Sequence, residues 1–334
     1  MTRTLLVTPA VSAARRAWLE DELGTSWGIV SAPDGLRVED CAEALASTTA
    51  MVGMSWPSNA PRAPNLRLIQ LIGAGFDGID FDAVADECAV CNVFEHEIGI
   101  AEYIVAAMLE WEIKLAAQDR ALREGRWIDG FAMNRPLHGE LFGKTVGFLG
   151  YGHIAHESAK RLKAFGMRTM ARTRTVSRCD EWIDDPGGMV QLDHMASSAD
   201  YIVVTAPLTP ATQGLVDAAF LARMKGDAVI INVARGALID EMALYEVLRS
   251  RRIGGAIIDT WYRYPEHGGA NEPFMPSNQP FHQLDNILMT PHSSGWSAGL
   301  LDRRWRVMSG NLHALESGAP LVNQLKPSGG PLQL

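Results

Sequence analysis

Cysteine is scarce in this chain of 334 residues, which contains only four. Four thiols in a chain of this length do not form the disulfide framework of a small secreted domain. Cys88 and Cys91 form one C-x-x-C pair, but a structural zinc site of this kind needs a second pair, which the sequence lacks. We therefore expect free thiols, no metal site and a cytoplasmic, reducing environment.

Long apolar runs and a basic excess are also missing. No run of about 18 apolar residues occurs, and the first apolar run, at residues 5–7, is too short for the core of a signal peptide. The 30 Lys and Arg residues are outnumbered by 39 Asp and Glu residues, for a formal net charge of −9. Because nucleic-acid-binding proteins carry the opposite excess, we expect neither a nucleic-acid partner nor a membrane span.

What the sequence does contain is a regular alternation of short aliphatic runs with stretches of helical periodicity. Ala155, Ala159 and Leu162, for example, fall on one face of a helix. Such alternation is typical of parallel sheets joined by right-handed helical crossovers. We predict an α/β fold with two Rossmann-like, doubly wound domains. The predicted strands cover residues 4–8, 66–72, 146–150, 201–206, 228–232, 256–259 and 287–289.

The longest helical pattern covers residues 98–123 and separates a first α/β region from a glycine-rich stretch near residue 150. We interpret this helix as the connection between two domains. A second crossing is expected near residue 290, because the roughly 45 residues that follow are too few for a domain of their own. The predicted substrate domain, flavodoxin-like, is therefore discontinuous and comprises residues 1–98 and 290–334. The predicted dinucleotide-binding domain comprises residues 99–289.

A G-x-G-x-x-A pattern runs from Gly150 to Ala155, after an apolar strand and before an amphipathic helix. In this context Gly150 permits a tight turn, and Gly152 lets the backbone approach a pyrophosphate. The start of the helix, at His153 and Ile154, supplies backbone N–H groups and a positive dipole. The pattern predicts a dinucleotide site. The alternative is a glycine turn that binds no ligand.

The end of the next strand bears on the choice of cofactor. NAD-selective sites usually have an Asp or Glu there to hold the ribose hydroxyls. Here the strand runs into Arg172, Thr173 and Arg174, and no carboxylate follows until Asp180. A hydroxyl between two guanidinium groups suits a 2′-phosphate, so we expect NADP(H) to be preferred over NAD(H). The alternative is that both arginines are solvated surface residues.

Seven sequence blocks begin at Gly73, Ala101, Gly150, Ala206, Asn232, Asp259 and Thr290. Taken in order, these blocks resemble those of the D-isomer-specific 2-hydroxyacid dehydrogenase family. The resemblance covers residues from about 65 to 295, and the family's discontinuous substrate domain matches the division described above. It implies hydride transfer between a nicotinamide cofactor and a small 2-oxo or 2-hydroxy acid, and a homodimer formed through the cofactor domain.

The resemblance also implies roles for individual residues. Arg235 would hold the substrate carboxylate and polarise its 2-oxygen, while His292 would be the acid in reduction and the base in oxidation. These residue types suit the chemistry, because hydride transfer to a ketone places negative charge on oxygen. The main chain at Ala74 and Gly75 would grip the carboxylate. Further cofactor contacts are implied for Ala206, Pro207, Thr212, Val233, Ala234, Asp259, Ser294 and Gly295.

The sequence departs from the family pattern at one position. In the family a glutamate, usually followed by proline, orients the catalytic histidine. Five residues after Asp259 this chain has Tyr264, followed by a proline. Glu272, 20 residues before His292, is the second candidate, because the chain carries an apparent insertion in this region. We favour Tyr264, although Glu266 or Glu272 could still reach the histidine.

The substrate stays open. His96 stands near the position of an asparagine in the formate dehydrogenases of the superfamily, which argues against formate. Trp56 and Trp296 are candidates for the walls of an apolar substrate pocket, with ordinary core or dimer-contact tryptophans as the alternative. Two other functions stay open: a dehydrogenase of a non-hydroxyacid substrate, encouraged by Tyr264, and a dinucleotide-sensing interaction protein without turnover. The presence of both catalytic candidates weighs against the latter.

Overall fold

The structure, a computed structural model, describes residues 2–8, 12–32, 37–128, 137–265 and 273–332. It divides into two compact units, Met1–Glu95 with Ala298–Leu334, and His96–Ser297. The polypeptide passes between the units at residues 95/96 and 297/298. The boundaries predicted from the sequence are 98/99 and 289/290. The first unit is thus the discontinuous one.

The described residues form the following helices and strands. The strands are β1 (Arg3–Val7), β2 (Trp27–Ser31), β3 (Ala50–Gly53), β4 (Leu68–Leu71), β5 (Ala89–Cys91), β6 (Thr145–Leu149), β7 (Arg168–Arg172), β8 (Asp185–Gly187), β9 (Tyr201–Val204), β10 (Val229–Asn232), β11 (Gly255–Ile258), β12 (Ile287–Met289) and β13 (Gln324–Lys326). The helices are α1 (Ala13–Leu23), α2 (Ala42–Leu45), α3 (Glu97–Ile113), α4 (Leu115–Arg123), α5 (His153–Ala164), α6 (Leu192–Ser198), α7 (Ala218–Arg223), α8 (Glu241–Arg249) and α9 (Leu300–Ser317).

Each unit is built around one sheet. In the first unit the strand order is β13-β5-β4-β3-β1-β2, parallel except for β13, which pairs antiparallel with β5. In the second unit the order is β12-β11-β10-β9-β6-β7-β8, and every pair is parallel. The predicted α/β class with two doubly wound sheets is confirmed.

The central strands of the second unit are apolar on both faces. All four residues of β9, β10 and β11 are buried, because two hydrophobic clusters cover the opposite faces of the sheet. Such double burial explains why these strands read as continuous aliphatic runs in the sequence. Since the strands are parallel, their carboxyl ends lie at one edge, where doubly wound sheets bind their ligands.

The long helical pattern at residues 98–123 is two helices, and the prediction of a single helix is wrong. α3 ends and α4 begins at Lys114, whose φ of 58° lies in the left-handed region. The Lys114 N–H donates to the Glu110 carbonyl at 2.8 Å, so the helix end is satisfied. A lysine in this conformation gives no glycine or proline signal, which is why the break is invisible in the sequence.

The four cysteines are free thiols, as predicted. Burial raises the pKa of Cys88 and Cys91 to about 12, so both stay protonated and unreactive at neutral pH. In the part of the chain that the structure describes, no helix is both long and apolar enough to cross a membrane.

Candidate functional site

The glycine turn lies between β6 and α5. Gly150 has φ +94°, and a Cβ there would come within 2.7 Å of the backbone nitrogen of Ala206, so only glycine fits. Gly152 precedes α5, whose start no side chain caps, and a Cβ on Gly152 would meet nothing within 4 Å. The open space in front of an uncapped helix N-terminus fits a dinucleotide pyrophosphate. The predicted positions His153 and Ile154 form the first turn of this helix.

A cavity of about 580 Å³ opens beside the glycine turn and includes Gly152 and His153 in its lining. In the same lining, the Asp180 carboxylate accepts the Tyr151 hydroxyl at 2.6 Å and contacts Nδ1 of His156 at 2.7 Å. This cluster was not foreseen from the sequence, because its three members are separated along the chain. The first carboxylate after β7 is therefore engaged with two side chains next to the turn.

Contrary to the prediction from the sequence, Arg172 does not face the cofactor site. Its side chain is fully buried, and its guanidinium pairs with the Asp185 carboxylate at 2.8 Å. The same guanidinium donates to the carbonyls of Ala171, Asp185 and Gln191 and contacts His194. A guanidinium with these partners is not available to a 2′-phosphate, so Arg172 is removed from the predicted cofactor contacts. Thr173 is buried beside it, whereas Arg174 is exposed.

The loop after β9 carries Ala206, Pro207 and Thr212, three of the implied cofactor residues. Ala206 packs against Gly150, as described above. The Thr212 hydroxyl donates to the Pro207 carbonyl at 2.6 Å and accepts the Thr209 N–H at 2.8 Å. Thr212 thus closes its own loop and fixes the conformation of the Pro207 segment.

The turn after β10 presents Arg235. Asn232 shapes this turn, because its side chain accepts the Ala234 N–H at 3.1 Å and donates to the Arg235 carbonyl at 2.9 Å. A Cβ on Gly236 would come within 2.3 Å of the Trp261 carbonyl oxygen. The Arg235 turn is therefore pressed directly against the backbone that follows β11. The structural role of Asn232 was missed, although an amide at the end of a strand is a turn signal.

Asp259 organises the segment that carries His292. Its carboxylate is fully buried and accepts the Thr290 hydroxyl at 2.6 Å and the N–H groups of Ser293 and Ser294 at 2.9 and 3.1 Å. Its main-chain carbonyl accepts the His292 N–H at 2.8 Å. His292 itself has φ 57°, a strained conformation for a non-glycine residue that these contacts maintain.

The His292 imidazole lies near two charged groups and one aromatic ring. Burial and the Arg235 guanidinium lower the pKa of His292, while the Asp259 carboxylate opposes them. The ring of Tyr264 lies 5.5 Å from the imidazole between centroids. Burial raises the pKa of Tyr264, so its hydroxyl is neutral at physiological pH. The runner-up Glu272, like Glu266, lies outside the described residues.

Two more predicted residues belong to the second unit. A Cβ on Gly295 would lie 3.4 Å from the Cβ of His96, so the start of α3 and the segment after His292 are in contact. Trp296 follows in that segment and is 72% exposed. The structure thus brings His96 next to the His292 segment and leaves the Trp296 side chain largely in solvent.

The remaining predicted residues belong to the first unit. Ala74 and Gly75 follow β4, and the Ala74 carbonyl accepts the Asn92 side-chain amide at 2.9 Å. Trp56 is 4% exposed and sits in a hydrophobic cluster, with its indole N–H donating to the Ala83 carbonyl at 3.1 Å. This corrects the expectation of a pocket wall, because Trp56 is a core tryptophan.

Known proteins share this sequence pattern. A family model described as the NAD-binding domain of D-isomer specific 2-hydroxyacid dehydrogenases matches residues 105–294. The D-3-phosphoglycerate dehydrogenase of Archaeoglobus fulgidus is 34% identical over 233 residues, which are 69% of this chain and 41% of that protein. The hydroxypyruvate reductase of Thermotoga maritima is 33% identical over 231 residues, which are 68% of this chain and 70% of that protein.

A crystal structure of an NADPH-dependent glyoxylate/hydroxypyruvate reductase from Sinorhizobium meliloti, in complex with NADP and malonate, has the same fold. It matches with a TM-score of 0.76 and 25% sequence identity over 100% of both chains. This chain spans less than half the length of the phosphoglycerate dehydrogenase. The family model, however, covers more than half of this chain, and the hydroxypyruvate reductase is matched over more than two thirds of its length. This chain therefore belongs to the D-isomer-specific 2-hydroxyacid dehydrogenase family.

Proposed function

We propose that the protein is a nicotinamide-dependent oxidoreductase that transfers a hydride between the dinucleotide and a small 2-oxo or 2-hydroxy acid. The observation that carries this proposal is that Arg235 and His292 follow strands β10 and β12, with Asp259 after the strand between them. A cation and a titratable imidazole thus stand at the sheet edge that binds ligands in this type of fold. The cofactor supplies the hydride when it is bound.

The two side chains have complementary roles in this proposal. The Arg235 guanidinium holds the substrate carboxylate through paired N–H donors and polarises the 2-oxygen. In reduction, negative charge develops on that oxygen, and the His292 imidazolium delivers a proton to it. In oxidation the neutral imidazole accepts the proton of the substrate hydroxyl.

For the cofactor, the proposed pyrophosphate contacts are at Gly150, Gly152, His153 and Ile154. Asp259 and the main chain at Val233 and Ala234 would orient the nicotinamide, and Ser294 and Gly295 would lie against its carboxamide. We retain the preference for NADP(H) but assign it to Arg174 with Thr173. The exposure of Arg174 supports this assignment, since the guanidinium of Arg172 is already engaged.

A second candidate reaction follows from Tyr264. Where the family has a glutamate beside its histidine, this chain places an uncharged ring beside His292. A neutral neighbour stabilises the imidazolium less than a carboxylate does. This favours a substrate whose reduction depends less on proton donation. The second candidate function is therefore a dehydrogenase that acts on a non-hydroxyacid substrate.

We also propose a homodimer formed through the second unit. Leu115, Leu122 and Trp127 are 59%, 58% and 68% exposed, and large exposed apolar side chains of this kind suit a protein interface. The four free thiols fit a reducing, cytoplasmic location.

The test is oxidation of NADPH and of NADH by the purified protein with 2-oxo acids ranging from glyoxylate to phenylpyruvate. Turnover with one of them establishes the reaction and the preferred cofactor. Tight dinucleotide binding without turnover on any of these acids would overturn the proposal in favour of the second reaction or of a dinucleotide-sensing protein.

A further inference from the structure

A chain of hydrogen bonds in the second unit, from Tyr103 through Thr290 to Asp259, connects helix α3 to the segment that bears His292. The Tyr103 hydroxyl, on α3, lies 2.7 Å from the Thr290 hydroxyl. The Thr290 hydroxyl in turn donates to the Asp259 carboxylate at 2.6 Å. Because a threonine hydroxyl has only one proton, and Asp259 receives it, the Tyr103 O–H is the donor to Thr290. The direction of the chain is therefore Tyr103 to Thr290 to Asp259.

The Tyr103 hydroxyl keeps its proton at neutral pH. Burial raises the pKa of Tyr103 to about 12, and the negative charge of Asp259 adds to that effect. The tyrosine therefore remains a hydrogen-bond donor throughout the physiological range. A buried carboxylate needs such donors, because burying a charge without hydrogen bonds is costly. In series, hydrogen bonds also polarise and strengthen one another.

The carboxylate at the end of the chain holds the backbone on both sides of His292. It accepts the hydroxyl of Thr290, two residues before the histidine, and the N–H groups of Ser293 and Ser294 directly after it. The left-handed backbone at His292 is strained, so its conformation depends on these contacts. A change in the hydrogen bonds of Asp259 is thus transmitted to the position of the imidazole.

We propose that Tyr103 and Thr290 are positioning residues, which act through Asp259 to fix the backbone and the electrostatic environment of His292. The inference rests on the catalytic role proposed above for His292. Neither residue is assigned contact with substrate. Among the described residues, the charged groups that act on the imidazole are Arg235 and Asp259. Asp259 is the end point of the hydroxyl chain, because it accepts the Thr290 hydroxyl.

Three substitutions test the chain. Thr290→Val keeps the shape of the side chain but removes the direct donor to Asp259, and Tyr103→Phe removes only the hydroxyl at the far end. Thr290→Ser restores the donor. The matched control is Tyr201→Phe, because the buried Tyr201 hydroxyl donates to Glu112 in the same unit but sits at the opposite, amino end of the parallel sheet.

We expect kcat with a 2-oxo acid to fall about tenfold in Thr290→Val and about fivefold in Tyr103→Phe. KM values should stay within about twofold, and Thr290→Ser should recover most of the rate. The second readout is the titration of His292, followed by NMR of histidine-labelled, cofactor-free protein and assigned by its loss in His292→Gln. With fewer donors on Asp259, its charge favours the imidazolium more strongly, so the titration should move to higher pH, most in Thr290→Val.

A His292 titration in Thr290→Val that coincides with that of Tyr201→Phe would overturn the proposal, whatever happens to kcat. If Tyr103→Phe fails to fold, the comparison of Thr290→Val with Thr290→Ser decides on its own. Failure of the proposed function has a different signature. In that case the wild type turns over none of the 2-oxo acids, while Thr290→Val still shifts the His292 titration.

Discussion

The ring of Tyr264 lies against the imidazole of His292, with 5.5 Å between the centroids and 50° between the planes. The Tyr264 hydroxyl accepts the main-chain N–H of Trp261 at 3.1 Å, which anchors the ring in this place. The neighbour of the proposed acid is therefore aromatic and uncharged. Among the described residues, the carboxylate that acts on His292 is that of Asp259, which is also engaged with its own loop.

This environment predicts the pH dependence of 2-oxo acid reduction. Reduction needs the imidazolium, so its rate falls as pH rises through the pKa of His292. Because burial and Arg235 lower that pKa, the midpoint of kcat/KM should lie below the ordinary histidine value of about 6.5. Tyr264→Glu places a carboxylate beside the imidazole and should move the midpoint up by about one unit or more. The measurement is the pH profile of kcat/KM in the wild type and the variant.

Glu272→Gln is the control for this prediction. We expect its profile to match that of the wild type. A downward shift in Glu272→Gln, with no shift in Tyr264→Glu, would mean that the glutamate acts on His292 and that Tyr264 does not.

The parts of the site that are local in sequence are those that sequence reasoning can predict. The glycine turn is specified within six residues, because Gly150, with its positive φ, lies only three residues before the start of α5 at His153. The central strands can be predicted for a similar reason. Each of them is buried on both faces and therefore appears in the sequence as a short run of consecutive aliphatic residues. The fold class and the position of the dinucleotide turn need no knowledge of distant residues.

The fate of Arg172 depends on distant residues and cannot be read from the sequence. Its ion-pair partner Asp185 begins β8, a strand of three residues that contains a proline and carries no strand signal. Because β8 cannot be predicted from the sequence, no partner for Arg172 can be predicted either. A position facing the cofactor is then the natural interpretation. The hydrogen-bonded series from Tyr103 through Thr290 to Asp259 cannot be predicted from the sequence either, because its two ends are 156 positions apart.

Substitution of the proposed catalytic side chains should separate chemistry from cofactor binding. In His292→Ala we expect kcat/KM for the 2-oxo acid to fall by about 10²- to 10⁴-fold, the typical contribution of a general acid. Arg235→Ala should lower kcat and raise the KM of the acid, because it removes both carboxylate binding and oxyanion stabilisation. Dinucleotide affinity, measured by fluorescence titration, should stay within about threefold. Undiminished turnover in either variant would remove that residue from the mechanism.

The two arginines after β7 should respond differently to substitution. Arg174→Ala should raise the KM of NADPH by about tenfold and leave that of NADH unchanged, since only NADPH has a 2′-phosphate for the guanidinium to contact. Arg172→Ala should instead destabilise the fold by about 2–3 kcal/mol, because it removes the buried partner of Asp185 and several hydrogen bonds. Steady-state kinetics with both cofactors and urea denaturation distinguish the two effects. A loss specific to NADPH in Arg172→Ala would contradict the assignment.

The Gly236 backbone sets the position of Arg235, and a single methyl group should disturb it. In Gly236→Ala the new Cβ would lie 2.3 Å from the Trp261 carbonyl oxygen, so the backbone of one of the two segments must move. We expect a loss of about 2 kcal/mol in the free energy of unfolding and a fall in kcat/KM of tenfold or more, because the adjacent Arg235 is displaced. The matched control is Gly226→Ala, where a Cβ meets nothing within 4 Å and stability should change by less than about 0.5 kcal/mol. Equal kinetics in the two variants would mean that the close approach of Gly236 to Trp261 does not position Arg235.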